Sequence, residues 1–208
     1  MKHILFRIII WAIVIMSAGC HIKQDLRNPN YINHEAGITP LHTMPIYIDN
    51  SFSVKDKESI SVAVQKWNEA LNGYFILKIV STNFNMEMST LQLAGAGKAY
   101  LIIKVDRYNK LIRPMDTPTT VTLGIANRIG GNFIYIVRDR LGEADIMGLT
   151  LHELGHILGA HHTEKHLMSP MYSLTEFSCV DKDAVKQVAE YWHLPMIKMS
   201  YCLYPDQE

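Results

Sequence analysis

The sequence is poor in cysteine and has no excess of charge of either sign. Its 208 residues include three cysteines, too few for a disulfide scaffold and without the CxxC pair of a structural zinc module. Lys plus Arg and Asp plus Glu each number 20, so the chain lacks the basic excess expected of a general nucleic-acid binder. With 48% hydrophobic and 19% charged residues, the composition predicts one globular domain with an ordinary core.

The N-terminal segment has the pattern of an export signal. Lys2 and Arg7 precede an uncharged, mostly apolar run over residues 8–18, which is about half the roughly 20 residues that span a bilayer. Residues 17–20, Ser-Ala-Gly-Cys, resemble the cleavage box of a bacterial lipoprotein, in which the cysteine is lipidated and becomes the first mature residue. This resemblance implies a signal peptide over 1–19, lipid on Cys20 and an extracytoplasmic membrane anchor, in the periplasm or at the cell surface. A plain secretory signal, which would release the protein, and an uncleaved anchor are the alternatives.

The remainder divides into a tether over 20–40 and one domain over 41–208. Apolar spacing and β-branched content in the domain predict strands alternating with helices, and therefore an α/β (α+β) fold. The predicted strands are 44–48, 74–80, 99–105 and 132–137, and the predicted helices are 54–71, 145–158 and 180–192. Cys179 and Cys202 either form a disulfide in an oxidising compartment or remain two thiols, and the spacing decides neither.

The informative stretch is His-Glu-Leu-Gly-His-Ile-Leu-Gly-Ala-His-His, which begins at His152. On a helix, His152 and His156 lie roughly 40° apart around the axis and can bind one ion, while Glu153 is rotated by about 100° and lies beside it. Gly159 allows a sharp turn that can bring His162 round as a third ligand. Three protein ligands leave one position of a zinc ion open, which is typical of catalytic sites.

This stretch resembles the HExxHxxGxxH motif of the metzincin metalloproteases, and the chain is most similar to the matrixin branch. The family spacing selects His162 over the neighbouring His161 as third ligand. The family motif is followed by a turn that contains a methionine, and the Leu-Met-Ser-Pro sequence favours Met168 for this position, with Met171 as the alternative.

The resemblance implies a metzincin-type catalytic domain that hydrolyses peptide bonds in extended protein or peptide substrates. Such a domain has a twisted mixed sheet, a long helix, an active-site helix, and a small C-terminal subdomain with the Met-turn and a terminal helix. His152, His156 and His162 would hold one catalytic zinc ion, with additional zinc or calcium left open, and Glu153 would serve as general base. The substrate would pair with an exposed edge strand, which we place at Phe133, Ile134, Tyr135 and Ile136. A monomer is expected, without nucleic-acid partners.

Two other functions fit parts of the pattern. The first is a membrane-tethered lipoprotein that binds zinc without catalysis, although such a scaffold has no need of Glu153. The second is a zinc hydrolase of small non-peptide amides, for which a closed pocket is expected in place of an open cleft beside an edge strand.

Overall fold

The computed structural model describes residues 40–85, 99–142, 145–171 and 178–204. The predicted signal peptide, Cys20 and all of the tether except Pro40 lie outside the described residues. No helix within these four ranges combines the length and the hydropathy needed to cross a bilayer.

Five strands form one mixed sheet in the described part of the chain. They are β1 (His42–Asp49), β2 (Phe75–Phe84), β3 (Tyr100–Val105), β4 (Gly124–Ala126) and β5 (Phe133–Val137). Their order is β2-β1-β3-β5-β4, with parallel pairing throughout except between β4 and β5, which are antiparallel. The predicted α/β class is therefore confirmed, and the four predicted strands lie within a few residues of their expected bounds.

The long helix α1 (Val54–Ala70) fixes the position of the helix that carries the HExxH residues. It begins with a capping box, in which Ser53 Oγ accepts a hydrogen bond from the Asp56 backbone and Asp56 accepts one from the Ser53 backbone. Its buried apolar stripe includes Trp67, which is fully buried and donates from Nε1 to the Leu151 carbonyl at 2.8 Å. A buried indole N–H needs such an acceptor, so this bond sets the rotation of one helix against the other.

Helix α2 (Asp145–Ile157) carries two of the three predicted metal ligands, His152 and His156, and the last long helix is α3 (Lys182–Trp192). Trp192 Nε1 donates to the Leu158 carbonyl at 2.7 Å, which joins the end of α3 to the end of α2. Just before α3, Cys179 forms a disulfide with Cys202, so the open question of their pairing is settled in favour of the bridge.

The prediction that Phe133, Ile134, Tyr135 and Ile136 form the exposed sheet edge is wrong. These residues belong to β5, which pairs with β3 on one side and with β4 on the other. The strand at that edge is the three-residue β4, which sequence analysis missed because it is short and because Gly124 weakens its strand pattern. Two sequence features could have indicated this hairpin. Leu123 and Ile125 are apolar residues two positions apart, and the Gly130–Gly131 pair forms a turn before β5.

Candidate active site

The structure brings the three predicted histidine ligands together. His152 and His156 lie one turn apart on α2, and their Nε2 atoms are 3.1 Å from each other. His162 Nε2 lies 3.1 Å from His156 Nε2, and the ligand atoms of all three are within 4.8 Å of one another. Two nitrogens bound to a tetrahedral zinc ion at 2.0–2.1 Å are separated by roughly 3.3 Å, so the spacing fits zinc. In the described residues no other group of three His, Cys, Asp or Glu donors is clustered in this way.

A glycine turn places His162 opposite the helix. Gly159 has φ +109°, a conformation that favours glycine, and a Cβ added there would lie 2.3 Å from Tyr191 Cγ. The chain thus leaves α2 abruptly and returns His162 to the two helical imidazoles. The side chain of His161 is exposed and outside the cluster, and its backbone N–H donates to Gln187.

Backbone carbonyls determine which ring nitrogen carries the proton in His152 and in His156. His152 Nδ1 lies 2.6 Å from the Leu167 carbonyl oxygen, and His156 Nδ1 lies 2.9 Å from the Ala160 carbonyl oxygen. A carbonyl only accepts, so each Nδ1 carries the proton and each Nε2 presents a bare lone pair. Burial lowers the pKa of His152 to about 3 and that of His156 to about 4, so both rings are neutral at pH 7. Two lone pairs that face each other across 3.1 Å repel unless a cation lies between them.

Glu153 lies between the histidines and the edge strand. Its side chain is buried, and Oε2 has no hydrogen-bond partner in the described residues. Burial raises the pKa of this carboxyl to about 8, against the opposing effect of a hydrogen bond from the Ala126 backbone. A buried carboxylate oxygen without a partner is costly, so this atom is suited to a group brought by a ligand.

Met168 lies beneath the helix that bears the histidines. It is fully buried, and a Cβ added at Gly155 would lie 2.5 Å from Met168 Sδ, so glycine is what lets the two segments approach. Met171, the alternative, is 67% exposed and lines the cleft instead. The Met168 carbonyl also accepts from Thr163, which ties this segment to the residue after His162.

Two groups that support the site were not found by sequence analysis. The Leu167 carbonyl orients His152, and a main-chain oxygen leaves no trace in the sequence. Asp181 is almost fully buried, and its Oδ2 accepts from the Leu167 N–H at 3.1 Å while its Oδ1 caps α3. The capping role is visible in the sequence before α3, whereas the bond to Leu167 depends on tertiary structure.

The histidines and Glu153 lie in an open cleft of about 1060 Å³. Its upper wall is β4 with the preceding residues, and its lower wall includes Ser169, Pro170 and Met171. The main-chain groups of Leu123 and Asn127 bond to β5. In an antiparallel pair the bonding residues alternate, so the main-chain polar groups of Gly124 and Ala126 point away from β5, toward the open edge of the sheet.

Comparison with known proteins finds likeness among solved structures and no match to a family model or a curated sequence. The fold is similar to the crystal structure of archaemetzincin from Methanopyrus kandleri, with 15% sequence identity, a TM-score of 0.47, and coverage of 73% of this chain and 94% of that chain. A likeness at this level does not assign an activity, which has to be inferred from the site itself.

Proposed function

We propose that this protein is a zinc-dependent endopeptidase of the metzincin type, close to the matrixins, that hydrolyses peptide bonds in extended protein substrates. The proposal rests mainly on two unprotonated imidazole nitrogens, Nε2 of His152 and of His156, which face each other at 3.1 Å with His162 beside them. A buried oxygen of Glu153 that has no hydrogen-bond partner in the described residues lies in the same cleft.

The three histidines supply the donor set of a catalytic zinc centre. His152, His156 and His162 are all neutral nitrogen donors, and three protein ligands leave one position for water or substrate. When bound, a zinc ion at such a site acts as a Lewis acid that acidifies water toward neutrality and polarises a carbonyl group. The carbonyls of Leu167 and Ala160 keep two of the rings oriented with Nε2 toward the ion.

Glu153 is the residue we assign to proton transfer. It follows His152 directly, lines the cleft and has a carboxylate oxygen free of protein partners in the described residues. Without a metal ion, burial would keep this carboxyl protonated at neutral pH, and the positive charge of a bound zinc ion would favour its ionised form. The ionised Glu153 would then accept the proton of the attacking water and deliver it to the departing amine. The bond from the Ala126 backbone holds the carboxylate at the edge strand, next to the scissile peptide.

The open side of β4 is the surface we assign to the substrate backbone. No strand pairs with that side in the described part of the chain. Gly124 directs its main-chain polar groups to it, and Ala126 its carbonyl, since the Ala126 N–H is bonded to Glu153. An extended peptide binds there by strand addition, which reads the main chain more than the side chains. This open edge beside the histidines favours a peptide over the small non-peptide amide of the alternative function, for which a closed pocket is expected.

The setting we propose is the extracytoplasmic side of a membrane, with the monomeric protein anchored by lipid on Cys20. The sequence at residues 17–20 supports the anchor, and the Cys179–Cys202 disulfide supports an oxidising compartment. Mass spectrometry of the mature N-terminus tests the anchor, because a lipidated Cys20 is then expected as the first residue.

Glu153→Gln tests the proposed function most directly. The variant and the native protein should each bind one zinc ion per chain, and the variant should lose cleavage of casein or a quenched peptide by about 10²- to 10⁴-fold. The matched control is Glu164→Gln, which neutralises an exposed carboxylate near the site and should leave activity unchanged. Full turnover by zinc-loaded Glu153→Gln would refute the role of Glu153. A native protein that binds zinc but cleaves no peptide of a random library would support the non-catalytic lipoprotein instead.

A further inference from the structure

Residues 117–122 form a loop that we call the rim loop, because its tip lines the cleft above the site. The Thr117 N–H donates to the Thr120 carbonyl at 2.9 Å, and the Thr120 N–H donates to Thr117 Oγ1 at 3.0 Å, so the loop turns back on itself. Thr119, Thr120 and Val121 line the cleft, and Val121 is 61% exposed there. The loop leads directly into β4, the strand assigned to the substrate backbone.

Arg140 and Asp116 clamp the base of the rim loop. Arg140 holds both carboxylate oxygens of Asp116, at 2.8 and 2.6 Å, and donates to the Thr122 carbonyl at 2.7 Å. Asp116 in turn accepts from the Thr122 N–H at 2.9 Å. Both main-chain groups of Thr122 are therefore bound by this pair, at the junction between the rim loop and β4.

The geometry separates this clamp from an ordinary surface ion pair. Exposed pairs contribute little, because water screens them and two flexible side chains must be ordered. Here the two side chains are only 12% and 22% exposed, and the paired, planar contact orders Arg140 in one orientation. The hydrogen bond from Arg140, with smaller ones from Thr122, lowers the pKa of Asp116 to about 2, so the pair stays charged at neutral pH.

We propose that Arg140 is a positioning residue that sets the rim loop over the cleft and thereby the affinity for long peptides, without acting on the chemical step. This inference rests on the proposed peptidase function. The histidines are held by α2, the Gly159 turn and the Leu167 and Ala160 carbonyls, and Glu153 by α2 and the Ala126 backbone. The clamp bonds other groups, namely Asp116, Thr122 and the Arg107 carbonyl. Loss of the clamp should therefore displace the rim loop and leave the zinc ligands in place.

The position of the rim loop determines how long a peptide must be to contact it. Gly124 lies over Glu153, since a Cβ added at Gly124 would be 3.2 Å from Glu153 Oε1. Val121 precedes Gly124 by three residues, which span at most about 10 Å of chain. The tip thus faces substrate residues about three positions from the scissile bond. A decapeptide cleaved at its centre reaches the rim loop, whereas a tetrapeptide cleaved at its centre does not.

The test compares Arg140→Lys and Arg140→Ala with native protein, each zinc-loaded, on these two peptides. The lysine variant would keep the charge but lose the planar double contact. We expect KM for the decapeptide to rise about tenfold in both variants, kcat to change less than about twofold, and kcat/KM for the tetrapeptide to stay unchanged. The matched control is Arg107→Ala, which removes the exposed Arg107–Asp139 pair nearby and should behave as native protein.

Several outcomes would overturn the inference. Each of four results would show that Arg140 does not act through the rim loop. The first two are an unchanged decapeptide KM in Arg140→Lys and an equal loss of activity on both peptides. The other two are the same rise in KM in Arg107→Ala and failure of Arg140→Lys to fold. If native protein cleaves neither peptide, the proposed function fails and this inference falls with it. If it cleaves both and the Arg140 variants match it, only the inference fails.

Discussion

His152 Nδ1 and the Leu167 carbonyl oxygen lie 2.6 Å apart, so an imidazole of the proposed zinc site takes its orientation from a residue 15 positions further along the chain. The Leu167 N–H is in turn bound by Asp181. The path from Asp181 through the main chain of Leu167 to His152 makes the proposed metal site depend on the start of α3.

Asp181→Asn should weaken zinc binding about tenfold. Asp181 uses one carboxylate oxygen to bind the Leu167 N–H and the other to cap α3, and asparagine keeps only one acceptor oxygen. Substitution of a residue that orients a metal ligand typically lowers metal affinity 10- to 100-fold. Competition with a chelator of known affinity measures the effect. Asp183→Asn, which removes the same charge from an exposed position in the first turn of α3, is the control. Equal zinc affinity in the two variants would contradict the path.

Met168→Ala should cost about 2–5 kcal/mol of unfolding free energy, because it empties a fully buried site under Gly155. Met171→Ala should change stability by less than about 0.5 kcal/mol, since that side chain is 67% exposed. Denaturant unfolding of both variants measures the difference. Similar values for the two would argue against Met168 as the methionine that supports the site.

The prediction of fold and site from sequence succeeded where a local pattern determines the geometry. His152, Glu153 and His156 belong to one helix, so their spacing alone places them, and the apolar stripe from Ile60 to Leu71 likewise identifies α1. The edge strand was missed because three residues carry too little periodicity to be recognised. The Arg140–Asp116 clamp joins residues 24 positions apart that only the folded hairpin brings together.

The ion pair between Asp56 and Arg138 should make stability fall in acid. Burial opposes ionisation of Asp56, but hydrogen bonds from Arg138 and Ser53 outweigh it, and the pKa lies below its usual 3.8. In the unfolded chain this carboxyl takes up a proton at higher pH than in the fold, so its contribution is complete above about pH 5 and is lost as the pH falls through the folded pKa.

Asp56→Asn isolates this contribution. The variant should be less stable than native protein by about 1.5–3 kcal/mol at pH 6, the usual range for a hydrogen bond to a charged group. The gap should begin to narrow below about pH 4, where the unfolded carboxyl takes up a proton, and should close as the pH falls through the lower pKa of the folded carboxyl. Urea unfolding of both proteins from pH 3 to pH 7 measures it, and a gap that is constant over this range would contradict the assignment.

Removal of the Cys179–Cys202 disulfide should lower the unfolding free energy by about 3 kcal/mol. The bridge closes a loop between positions 23 residues apart, and the main effect of such a link is to restrict the unfolded chain. Unfolding with and without dithiothreitol measures the loss in native protein. The double variant Cys179→Ser, Cys202→Ser should be destabilised to the same extent and should not respond to the reductant. Native protein that unfolds identically in both conditions would show that the bridge does not stabilise the fold.

The unpaired side of β4 has a consequence for how copies of the protein behave toward one another. An open strand that receives peptides is also a template on which neighbouring chains can assemble into fibres. Here only three residues are on offer, and Gly124 at the first of them contributes no side chain to pack against an incoming strand. So short a strand can hold a peptide substrate through a few hydrogen bonds for the time the proposed cleavage needs. It offers too few hydrogen bonds and side-chain contacts to stabilise a fibre.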